Sequence, residues 1–154
     1  MHATETVPRR RLYHCSNVNA QELFKHVGDN KTMRVLHLIG LRWTSDEGSG
    51  VFLGTALAKN DTLRTLRTRA LTLDDFQPVA EGLRRNSTLL HVTMEKHSFG
   101  DCSASMGAVL QNRSLQSLVL DGCRISAVGD LEGLATNQSL QHLRSVLRSR
   151  RLCN

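Results

Sequence analysis

A chain of 154 residues, 40% hydrophobic and 22% charged, suits one packed domain and is too apolar for wholesale disorder. No run approaches 18 apolar residues, the first 18 residues are too polar for a secretory signal, and the cysteines at 15, 102, 123 and 153 show neither CxxC spacing nor a small disulfide framework, so a transmembrane helix is excluded and a cytoplasmic or nuclear location is expected. Formal charge is +6 and 16 of the 20 basic residues are Arg, which raises nucleic acid or an acidic protein as a partner.

In chain order, residues 1–18 form an irregular basic segment. Val7, Leu12 and Cys15 fall where buried residues recur further on, but Arg10 stands where a Leu belongs, which counts against a first strand. One phrase then repeats: NKTMRVLHL from Asn30, NDTLRTLRT from Asn60, NSTLLHVTM from Asn86, NRSLQSLVL from Asn112 and NQSLQHLRS from Asn137. The intervals are 30, 26, 26 and 25 residues, the signature of stacked units. Within the longest interval, TSDEGSG at 44–50 has loop chemistry, and GSGVFLG at 48–54 reads as a turn followed by a helix.

Each phrase predicts a short strand followed by a helix. The clearest strand half is Leu115, Leu118, Leu120, Cys123 and Ile125, in which alternation buries one face. Helical stripes are Val79, Ala80 and Leu83 in one unit and Leu131 and Leu134 in a later one. Asp74 and Asp75 suit a helix start, at the positive end of the dipole. The Asn of the next phrase then sits past the helix end, where a left-handed conformation is expected. Leu140 and Leu143 open a sixth strand, whose pattern Ser145 and Arg148 break before the basic tail 145–154.

This pattern, L-x-x-L-x-L-x-x-N/C-x-L followed by a helix, resembles a leucine-rich repeat of the ribonuclease-inhibitor-like subclass, also found in NOD-like receptors and the Ran GTPase-activating protein. The resemblance covers residues 19–144. It implies an α/β horseshoe segment of about five to six repeats, with a parallel concave sheet and outer helices. A single unit cannot bury its strand face alone, whereas stacked strands about 4.8 Å apart can. Neither end carries a convincing polar cap, so a longer array, a covering partner or self-association through the ends is expected.

The outward strand positions form a ladder on the concave side. They begin with Arg9, Arg11 and Tyr13 and with Val35, His37 and Ile39, and end with His142 and Arg144. The candidate partner-binding residues are the central ones: His37, Thr65, Arg67, Arg69, His91, Thr93, Glu95, Ser117, Val119 and Asp121. Basic residues lead and acidic ones follow. Arg67, Arg69 and His91 come first among them, because Arg and central positions dominate binding energies.

Other motifs carry less. The five Asn-x-Ser/Thr sequons follow from the repeat rather than from glycosylation. Cys15, Cys123 and His97 fall at the Asn/Cys position, where a small polar group satisfies a turn. Cys102 lies near a helix start, and Cys153 lies in the tail. No His or Cys pair has the companion that zinc requires, so no metal is expected. Without a phosphate loop, a nucleophile elbow or paired carboxylates in a cleft, neither a cofactor nor catalysis is expected. The expected function is therefore a non-catalytic protein-interaction module. The alternative is a small-GTPase regulator resembling the Ran activator, and RNA binding through the basic ends ranks last. Residues 1–18 carry +2, residues 140–154 carry +4 and residues 19–139 are neutral, which argues against nucleic acid as the purpose of the repeat body. Trp43, the one Trp, is expected in the core.

Overall fold

The computed structural model describes residues 8–45, 48–70, 76–95, 100–101, 103–121, 123–124 and 135–146. Val7, Asp74, Asp75, His97, Cys102, Ile125, Leu131, Leu134, Arg148 and Cys153 lie outside these residues, as do the side chains of Cys123 and Ser145. The elements in order are β1 Arg9–Tyr13, α1 Ala20–Asp29, β2 Val35–Ile39, α2 Ser49–Lys59, β3 Thr65–Arg69, α3 Gln77–Arg85, β4 His91–Glu95, β5 Gly100–Asp101, α4 Ser103–Leu110, β6 Ser117–Asp121, β7 Cys123–Arg124 and β8 His142–Val146.

The six longer strands form one parallel sheet in the order β1-β2-β3-β4-β6-β8, and β5 pairs with β7 in a short second sheet. Register joins Val35 to Thr65, Thr65 to His91, His91 to Ser117 and Ser117 to His142, so strand offsets equal the 30, 26, 26 and 25 residue intervals of the Asn phrase. Helices stack in the same order, α1 on α2, α2 on α3 and α3 on α4. The result is a solenoid-like α/β arrangement. No helix among the described residues is long and apolar enough to cross a membrane.

Alternation puts one face of each strand against the helices. Leu36, Leu38, Leu66, Val92, Met94, Leu118 and Leu120 are buried there, and full burial of each such side chain is worth about 1.5–3 kcal/mol. The helices return Phe24, Val27, Leu53, Leu57, Val79, Ala80 and Leu83 to the same core. The α3 stripe therefore packs as its spacing predicts, and Pro78 stands in the first turn, where its missing N–H costs nothing. Helix α1 starts at Asn19, whose side chain accepts from the Glu22 N–H at 3.0 Å, which satisfies one of the open donors of the first turn. Helix α2 follows Gly48, at φ 75°, and takes in Ser49 and Gly50 of the expected loop. Trp43 is in the core, 5.5 Å from the Phe24 ring centroid.

The Asn of each phrase corrects one expectation. Asn30, Asn60 and Asn86 do not adopt the left-handed conformation; their φ values are −71°, −75° and −75°, which is extended backbone. The side chain ends the helix instead. Each Oδ1 accepts from the backbone N–H groups two and three residues on, as Asn60 does from Thr62 at 3.0 Å and Leu63 at 2.7 Å. Each Nδ2 from Asn60 onward donates backwards into the previous unit. Asn60 reaches the Val27 and Asn30 carbonyls, Asn86 those of Leu57 and Asn60, Asn112 those of Leu83 and Asn86, and Asn137 those of Leu110 and Asn112, at 2.5–3.1 Å. One partner in every case is a carbonyl of the last helical turn, where the helix runs out of its own donors. The Ser/Thr of the phrase follows suit: Thr62 donates to the Asn30 carbonyl, Thr88 to Leu63, Ser114 to Leu89 and Ser139 to Asn112, at 3.0–3.2 Å. The Asn-x-Ser/Thr pattern is thus the residue set of an inter-unit hydrogen-bond ladder.

Three left-handed residues lie at the other end of the unit. His14, Gly40 and Ala70 follow β1, β2 and β3 directly and have φ of 49°, 61° and 50°. Their N–H groups donate to the Ile39, Arg69 and Glu95 carbonyls of the next unit at 2.8, 2.8 and 2.9 Å, so the chain turns out of the sheet while it stays paired. Ala70 has a Cβ where only glycine is unstrained. Ala70→Gly should raise the unfolding free energy by about 1 kcal/mol, read as a higher urea midpoint; a lower midpoint would place the strain elsewhere.

Three further expectations change. Strand β1 forms despite Arg10, pairing Arg9 through Tyr13 with Val35 through Ile39. Parallel pairing uses backbone groups, and at the end of the sheet Arg10 is exposed, so no closed slot demands a Leu there. Cys15 is exposed rather than in the core. Its thiol meets the Tyr13 carbonyl at 3.4 Å, so it still faces the turn. The sixth strand runs past the pattern break at Ser145 to Val146.

Candidate functional site

The sheet face away from the helices brings the candidate residues together. Register places them in three rows across the strands. The first runs Arg9, Val35, Thr65, His91, Ser117, His142; the second Arg11, His37, Arg67, Thr93, Val119, Arg144; the third Tyr13, Ile39, Arg69, Glu95, with Asp121 closing it on β6. All ten candidates, from His37 to Asp121, are half-buried or exposed, because their strand neighbours occupy the core. Adjacent members are about 4.8 Å apart along a row, close enough to act on one ligand.

Charge on this face is not a simple gradient. Arg67 is opposite Thr93 in register, yet its Nη2 reaches diagonally to both oxygens of Glu95, at 3.0 and 3.2 Å. The diagonal neighbour on a sheet is within range of so long a side chain. With 43% and 28% of the two side chains exposed, the pair is worth about 0.5–1 kcal/mol at most. Arg69, directly opposite Glu95, has no ion-pair partner among the described residues. The Arg67 Nε is buried without an acceptor.

His37 lies between Arg11 and Arg67 in the second row. Burial lowers its pKa from the ordinary 6.5, and the guanidinium groups of Arg11, Arg67 and Arg9 lower it further. The fold thus favours the neutral ring. As pH falls below 6.5 the unfolded chain takes up this proton first, so stability is full above that pH and lost through the window beneath it. His37→Gln should remove that part of the acid loss, seen as a flatter dependence of the urea midpoint on pH; an unchanged profile would acquit His37.

The structure extends the candidate set to β1. Arg9, Arg11 and Tyr13 are exposed, Tyr13 by 46%, and they stand in the rows where the repeat spacing places them. The diagonal pair was not legible, because spacing specifies direct neighbours only.

Two grooves lie off this face. An apolar one of about 240 Å³ runs between α1 and α2, beside Phe24, Phe52 and Ala56. A polar one of about 800 Å³ lies along the helix-to-strand turns at Asn112 and Asn137, beside Arg84 and Arg113. Neither includes a residue of the three rows. Among the described residues, no three His, Cys, Asp or Glu side chains gather as a metal site. No protein-family model matches the chain, and no curated protein matches it either.

Proposed function

We propose that the chain is a leucine-rich repeat module without catalytic activity that binds a protein partner through the open, concave face of its sheet. The supporting observation is the register: six parallel strands align three rows of outward side chains, with cationic, anionic and apolar members interleaved. A broad, chemically mixed surface of that kind suits a macromolecule better than a small ligand, which favours an enclosed pocket. The helices cover the other face, so partner binding there need not compete with the core.

The test compares proteins captured from native extract by three forms of the chain. The first is wild type, the second carries Thr93→Arg with Val119→Arg at the centre of the face, and the third carries Val51→Arg on α2, where Val51 is half exposed. Matched thermal melts establish that all three fold. The central substitutions should abolish capture and the helix substitution should leave it intact. Capture kept by the central variant and lost by the helix variant would move the interface to the helices.

A further inference from the structure

We infer that the β1–β3 portion of the open face is the docking site for an acidic, extended segment of the partner protein. The inference rests on reading this face as a binding surface and adds the chemistry of what binds. The first observation is an uncompensated charge. On the outward side of β1, β2 and β3 stand Arg9, Arg11, Arg67 and Arg69, with no Asp or Glu among them. Glu95, on the adjoining strand β4, engages Arg67. Arg9, Arg11 and Arg69 have no ion-pair partner among the described residues. Arg67 itself spends only Nη2 on Glu95 and keeps an unpartnered, buried Nε.

The second observation is the field these groups make. His37 faces Arg9 and Arg11 from β1 and Arg67 from β3, with Arg69 further along β3 and Glu95 beyond Arg67 on β4. Three of those guanidinium groups oppose its protonation. Burial is the larger cause of the lowered His37 pKa, and the guanidinium groups add to it; four of them on β1 and β3, either side of β2, make a positive potential, which is the condition for attracting an anionic ligand.

Geometry favours a polypeptide. Arg11 and Arg69 are two strands and two residues apart, which is about 12 Å between Cα atoms at sheet spacings. An extended peptide covers that span in about four residues, so acidic side chains four apart on one face of it would meet both cations. Val35 and Ile39 lie half-buried between the charges, where the alternate apolar contacts of a peptide can rest. Single-stranded nucleic acid needs several aromatic platforms. Here Tyr13 is exposed, while Trp43 and Phe24 are buried in the core.

The test uses the full chain and two fluorescent probes of equal length, a peptide alternating Glu and Ser and a single-stranded oligouridylate. The peptide should bind saturably at low salt, weaken as salt screens the charges, and lose about tenfold in affinity in Arg11→Gln with Arg69→Gln. Arg113→Gln, an exposed change in a turn off the face, should stay within about twofold of wild type. Arg9→Gln, on the exposed end strand, gives a second route should the double variant melt early. Peptide addition should also raise the pH at which the His37 ring titrates, because its carboxylates offset the guanidinium groups. Peptide binding that is absent, indifferent to these arginines or silent at His37 would overturn the inference, as would an oligouridylate that binds more tightly and displaces the peptide. Failure here with central-face capture still intact removes only the acidic segment. Loss of the capture assignment removes the partner surface itself.

Discussion

Asn86→Ala is expected to lower the unfolding free energy by about 3–5 kcal/mol, more than a buried neutral polar residue ordinarily commands. The Asn86 side chain is 4% exposed. It joins two units through four bonds to backbone: it accepts from Thr88 N–H at 2.9 Å and Leu89 N–H at 2.7 Å, and donates to the Leu57 and Asn60 carbonyls at 2.7 and 2.9 Å. Alanine removes all four partners and leaves the backbone groups buried, each unmet group costing about 1–3 kcal/mol, less than additively. Asn86→Asp keeps the two acceptor contacts but turns a charged oxygen toward two carbonyls, so it should be no better at neutral pH. Asn30→Ala is the reference. Asn30 is half-buried and at the start of the ladder, and its described side-chain bonds to backbone are the acceptor pair from Thr32 and Met33, so about 1–2 kcal/mol is expected. Equilibrium urea denaturation measures all three. Equal losses for Asn30→Ala and Asn86→Ala would mean that the inter-unit donors contribute nothing.

Gly82→Ala and Gly107→Ala should change stability in opposite directions, although both replace a helical glycine by the better helix former. A Cβ on Gly82 would meet the Gly54 carbonyl oxygen at 2.2 Å, and one on Gly54 would meet the Pro78 oxygen at 2.1 Å. These contacts are with backbone, which cannot rotate aside, so α2 and α3 would have to separate. The overpacking cost, about 1–3 kcal/mol and more where a backbone must shift, exceeds the propensity gain of up to about 1 kcal/mol. Gly82→Ala is thus expected to lose about 2 kcal/mol net or more. A Cβ on Gly107 of α4 meets nothing within 4 Å, so its alanine variant should gain about 0.5–1 kcal/mol. Thermal melts of the pair decide the matter: a stabilised Gly82→Ala would show that the two helices are free to part.

The two effects differ in how far the sequence announces them. The Asn positions stand out at once, because the phrase recurs at the spacing of the strands. Their conformation does not. Asn at a helix end suggests a left-handed residue, and that place falls instead to His14, Gly40 and Ala70 after the strands. The reason is that an Asn that donates into the preceding unit needs an extended backbone to aim its amide at a carbonyl some 25–33 residues earlier in the chain. Gly54 and Gly82 carry no signal of their own. They are 28 residues apart, and the close approach exists only when α2 lies on α3. Arg10 misled in the other direction, because a residue wrong for a buried slot is harmless where the slot is open.

The same division runs through the binding face. Which residues alternate outward follows from period two along each strand, and which of them share a row follows from the interval between Asn phrases. Both are local arithmetic that stacking simply obeys. Which charges are free is another matter. Arg67 is tied to Glu95, two residues off its direct neighbour, and the His37 pKa is lowered by burial first and then by cations on two adjoining strands. The sequence by itself determined the units, the strand register and the outward rows, because those depend on spacing along the chain. The tertiary structure alone decided the Asn ladder, the glycine contact and the cationic surplus on β1–β3, because each depends on atoms brought within hydrogen-bonding or Coulombic reach from units 25 or more residues apart.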